Sequence, residues 1–99
     1  MNGDQVLELR KALGLSTAEF RALMGVNAAT LTRWEVKGER DVFADPRSAR
    51  LLEALHQVMQ RVGAERLGAE IRGALKDRGG LGAVYVVLGH LFGPVVRTQ

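Results

Sequence analysis

The sequence predicts an all-α fold, and three observations predict it. Apolar residues recur every three or four positions along most of its 99 residues, the period of a helix with one buried face. Ser, Asp and Asn stand just before several of these stripes, where the first backbone amides of a helix need an acceptor. Glycines fall where the stripes stop, the position at which a helix closes in a left-handed cap.

Val6, Leu7, Leu9 and Leu13 lie near helical spacing, with Asp4 as an N-cap and Gly14 as a C-terminal cap, so a first helix is expected over about residues 4–13. Ser16 and Glu19 stand three apart, the capping-box spacing in which each side chain satisfies the other residue's backbone amide. They open a second helix that Gly25 ends. After Gly25 and Val26, Asn27 offers a further N-cap, and Leu31 and Trp34 form the buried stripe of a third helix closing at Lys37 and Gly38. Gly38 to Asp45 reads as a linker whose apolar pair, Val42 and Phe43, is expected to pack back on the core. Asp45 before Pro46 places an N-cap ahead of proline at the first helical position, and a fourth helix follows to Val62 with Leu51, Leu52, Leu55, Val58 and Met59 as its stripe. Leu67, Ile71 and Leu75 mark a fifth helix, which Gly79 and Gly80 stop. The last apolar run, Leu81 to Phe92, has strand propensity at Val84-Tyr85-Val86-Val87, but its length and lack of alternation favour a helix.

Composition narrows the function classes. A hydrophobic share of 46% in a chain this short supports one compact core with a terminal extension. There is no cysteine, so disulfides and thiolate metal sites are excluded, and a cytoplasmic location is expected. No apolar run approaches a bilayer-spanning length, so no membrane association is expected. Fourteen Lys and Arg against eleven Asp and Glu give a net charge of +3, which permits contact with polyanions without identifying one. His56 and His90 are far apart with no convincing ligand set around them. Carboxylates are scattered, and no Gly-rich loop joins a strand to a helix. Neither an enzyme, a metal nor a cofactor is expected.

Two short helices joined through a glycine at a sharp turn can place the second in the DNA major groove while the first crosses the backbone. The residues Leu13-Gly14-Leu15-Ser16-Thr17-Ala18-Glu19-Phe20, then Met24-Gly25-Val26-Asn27, then Thr30 to Glu35 and Gly38 resemble the phage-repressor helix-turn-helix family, the Cro-like or XRE type. The resemblance covers about residues 5–58 and implies a repressor-like DNA-binding domain over residues 1–62. Residues 63–99 are then one or two further elements packing on it as an extension. It places Phe20, Met24, Val26, Leu31 and Trp34 in the core and pairs Arg10 with Glu35 in a salt bridge. Arg21 departs from the family, which has a small residue where the second helix nears the third. Arg21 either swings outward or shifts the packing of the two helices.

On the third helix the outward positions are Ala28, Ala29, Thr32 and Arg33. Arg33 is the leading base reader, because a guanidinium can bond both O6 and N7 of guanine, with phosphate contact as its competing role. Ala28 and Ala29 permit close approach and contact with a thymine methyl, or act only as spacers. Thr17, Asn27, Lys37 and Arg40 are candidates for phosphate contacts, which position a protein without specifying a sequence. For Lys37 and Arg40 a merely solvated role competes.

Leu81, Val84, Tyr85, Leu88, Leu91 and Phe92 exceed what a five-helix core needs. They are expected to form a homodimer or partner surface, the rival being a sixth element of a monomeric core. The expected function is a repressor binding an inverted-repeat operator in double-stranded DNA as a homodimer. An antitoxin is the alternative, because Phe43 to Leu52 looks like the linker and fourth helix of helix-turn-helix antitoxins that clasp a toxin protein. An interaction module that no longer reads bases is the third.

Overall fold

The computed structural model describes residues 1–92, and residues 93–99 of the expected C-terminal extension lie outside the described residues. The fold is all-α: α1 (Gly3–Ala12), α2 (Thr17–Met24), α3 (Ala28–Glu35), α4 (Pro46–Val62) and α5 (Ala64–Phe92), with no strand among the described residues. None of these helices is long and apolar enough to cross a membrane.

The N-terminal caps follow the side-chain chemistry. Ser16 Oγ accepts from the Glu19 amide at 3.1 Å while Glu19 Oε1 accepts from the Ser16 amide at 2.8 Å, opening α2. Asn27 caps α3 through the Thr30 amide at 2.8 Å, and Asp45 caps α4 through the Ser48 amide at 3.2 Å. The cap of α1 corrects the expectation: it is Asn2, not Asp4. Asn2 and Gln5 exchange side-chain bonds to each other's amides, both at 2.8 Å. This box satisfies two orphan donors where a lone aspartate satisfies one. Backbone bonds from Gly3 to Arg40, from Asp4 to Gly38 and from Val42 to Met1 stitch this end of α1 to the α3–α4 connection.

One contiguous core joins all five helices. Val6, Leu9 and Leu13 meet Phe20, Leu23 and Met24, then Leu31 and Trp34, then Leu52, Leu55 and Val58, and finally Leu67, Ile71, Ala83 and Val87. The period-four stripes read from sequence are therefore the buried faces. Phe43 corrects another expectation, because its side chain is 87% exposed while Val42 is half-buried. The strand-like pairing around Asn2 and Asp41 occupies the backbone beside Val42, and Phe43, one residue on, faces solvent.

Residues 81–92 are helical, as their length suggested. Gly79 breaks α5 with φ 74° and ψ −162°, a conformation open essentially to glycine. Beyond it the chain folds back: His90 Nε2 lies 2.6 Å from Glu70 Oε1, twenty residues earlier, and the His90 carbonyl accepts from Arg61 at 3.3 Å. The second half of α5 thus lies against both its own first half and α4. A side chain at Gly80 would collide with the Ala22 carbonyl, so glycine lets the turn press onto α2.

Candidate nucleic-acid interface

The unit that presents α3 is built from short-range bonds. Gly25 closes α2 at φ 70°, and the amides of Gly25 and Val26 both donate to the Arg21 carbonyl, at 2.7 and 3.2 Å. Asn27 immediately opens α3, so only three residues separate the two helices. Arg47, from the first turn of α4, places both terminal nitrogens 3.0 Å from the Met24 carbonyl. That guanidinium satisfies an orphan acceptor at the end of α2. Sequence reasoning missed Arg47, because nothing in Asp45-Pro46-Arg47 signals a partner twenty-three residues earlier.

Leu31 and Trp34 are buried, which turns the rest of α3 outward. Ala28, Ala29, Thr32 and Arg33 are all solvent-exposed on this one short helix. Thr17 is exposed at the N-terminus of α2, and Asn27 is exposed at that of α3. The Asn27 oxygen is committed to its cap, leaving the amide nitrogen as its donor to any ligand. Lys37 is half-buried with its ammonium 5.6 Å from the Phe43 ring centroid, within cation–π range. Arg40 is exposed, and its Nε reaches the Lys37 carbonyl at 3.5 Å. The structure thus groups Ala28, Ala29, Thr32 and Arg33 on one helix. Lys37 and Arg40 stand on the connection beyond its C-terminus, and Thr17 opens the preceding helix.

The nearby carboxylate is removed from this face. Glu35 Oε2 accepts from Arg10 Nε at 2.9 Å with both side chains largely enclosed, and Arg10 also donates to the Leu15 carbonyl at 3.3 Å. One guanidinium therefore ties α1, the α1–α2 connection and the end of α3 together. Arg21 neither swings free nor finds a partner: it is half-buried, and its Nε is enclosed without a hydrogen bond among the described residues. That is a cost, since a buried donor has lost water without replacement.

The residues expected to form a homodimer or partner surface divide into two sets. Leu81, Tyr85 and Phe92 are 60–68% exposed, while Val84, Leu88 and Leu91 are half-buried and turned towards α4. Comparison with protein-family models, with curated proteins and with solved structures finds no match to this chain.

Proposed function

We propose that the chain is a sequence-specific DNA-binding transcriptional regulator of the repressor-like helix-turn-helix type, acting in the cytoplasm by occupying operator DNA as a homodimer. The observation that carries this reading is the outer face of α3, where Ala28, Ala29, Thr32 and Arg33 are exposed and the one acidic residue of the helix, Glu35, is neutralised by Arg10. Small residues in the first turn permit close approach to base edges, and an arginine one turn on, unpaired among the described residues, can read guanine. Thr17, Asn27, Lys37 and Arg40 supply flanking phosphate contacts. Exposed Leu81, Tyr85 and Phe92 support a two-fold dimer through α5, and two-fold dimers of this type read half-sites about 34 Å apart.

The test is site selection from random duplex DNA, followed by anisotropy titration of the selected site. An enriched inverted repeat, bound less tightly by Arg33→Ala by about 1–3 kcal/mol with relaxed base preference, is the expected result. No enrichment, with weak binding at every salt concentration, would overturn it. The same exposed apolar stripe on α5 supports a second reading, an antitoxin in which the C-terminal third clasps a toxin protein. Co-purification with a small protein encoded beside the chain distinguishes that reading.

A further inference from the structure

A cavity of about 540 Å³ opens between the N-terminal half of α4 and the second half of α5, against the end of α2. Leu51 and Ala54 line one side, Val84 and Leu88 the other, and the only charged side chains among the described residues of the lining are Arg47 and Arg50. Both stand in the first turns of α4, so cationic charge is gathered at one end of an otherwise apolar trough. Arg47 is engaged by the Met24 carbonyl. Arg50 is exposed, and no acceptor engages it among the described residues.

We infer that this trough binds a medium-chain acyl carboxylate, its tail between α4 and α5 and its head group on Arg50 and Arg47. The volume lies within the roughly 300–1,000 Å³ of small-molecule sites, and an apolar lining with a few orienting polar groups is their usual chemistry. On the α5 side the lining runs from Gly80 to Leu91, a helical rise of roughly 16 Å. That length accommodates the extended tail of a linear chain. A guanidinium pairs with a carboxylate through two parallel N–H bonds, so the cationic end selects the acid over the alcohol. The head group competes with the Met24 carbonyl for Arg47, so occupancy acts on the turn that precedes α3. The site stands on the cavity and is independent of whether α3 reads DNA.

Titration calorimetry of the full chain with decanoate, held below its micellar concentration and with decanol as the uncharged control, tests this site. One decanoate binds per chain, and both Arg50→Ala and replacement by decanol weaken binding about tenfold or more, the loss of roughly one charge-assisted contact. Chemical-shift changes in the unmutated protein centre on Ala54, Val84 and Leu88. Ala22→Leu, at an exposed position lining the trough, obstructs the ligand while the circular dichroism spectrum stays unchanged. Equal affinity for decanol and decanoate, shift changes centred elsewhere, or no decanoate binding overturns the proposal. Decanoate failing to bind while Ala22→Leu converts a sedimenting dimer to monomer overturns it too, and assigns the trough to a second copy of the chain.

Discussion

Arg10 Nε lies 2.9 Å from Glu35 Oε2, joining the last turns of α1 and α3 across twenty-five residues of sequence. With both side chains mostly shielded from water, losing one partner strands the other. Glu35→Ala is expected to lower the unfolding free energy by about 2 kcal/mol, measured by urea denaturation. The paired change Arg10→Met with Glu35→Leu should recover most of that loss, because no uncompensated charge remains. A double-mutant cycle with no coupling energy between the two sites rejects this account.

Arg40 and Lys37 differ from Arg33 in what they should do to DNA affinity. If Arg40 contacts phosphate, Arg40→Ala weakens selected and random duplexes alike and reduces the slope of log affinity against log salt by about 1. Lys37→Ala should act similarly but less, since its ammonium already lies over the Phe43 ring. Loss of affinity for the selected sequence alone would move these residues into base reading.

Arg21 carries a removable cost. Its enclosed Nε has no hydrogen-bond partner among the described residues, so Arg21→Met, which keeps the apolar stem, is expected to raise stability by about 1 kcal/mol. Thermal unfolding followed by circular dichroism measures this, and a lowered midpoint would show that the guanidinium is satisfied in solution.

The Glu70 carboxyl is held below the usual glutamate range, first by the hydrogen bond from His90 and then by Arg66, against an opposing effect of burial. A depressed carboxylate contributes stability above its unfolded-state value and loses it as pH falls through the folded-state value. The stability difference between the native chain and Glu70→Gln should therefore be present at neutral pH and be lost as pH falls below the usual glutamate range. Its size is expected to stay below about 1 kcal/mol because the pair is partly solvated. A difference that persists unchanged at acid pH assigns it to packing instead.

Gly79 is where α5 turns back, and its backbone excludes residues with a Cβ. Gly79→Ala is expected to cost about 1–3 kcal/mol, seen as a lower denaturation midpoint. Gly73, on the same helix with open space around it, serves as the control. There alanine should be neutral or stabilising.

Local chemistry is what the sequence determined on its own. Helices α2, α3 and α4 were legible because Ser16, Asn27 and Asp45 act on amides within three residues, and Gly25 marks a turn whose constraint is equally local. The faces were legible too, since Leu31 and Trp34 on α3, or Leu67 and Ile71 on α5, are separated by near-integral helical turns. That periodicity identified the outward set Ala28, Ala29, Thr32 and Arg33 as well. Even the Arg10–Glu35 pair was readable, though from a family resemblance and not from spacing.

Only the tertiary structure decided which partners meet over long separations. Asn2 displaced Asp4 as the cap of α1 because Gln5 completes its box, a choice between neighbouring acceptors that residue type leaves open. Phe43 faces solvent, although hydrophobicity argued for burial, because backbone pairing near Asp41 orients the connection. The bond of Arg47 to the end of α2 depends on where the first turn of α4 docks, and the trough beside Arg50 on Gly79 folding α5 back against α4. Local propensities act over a few residues, whereas these contacts depend on how whole helices share one core, and that sum is settled only when the chain is folded.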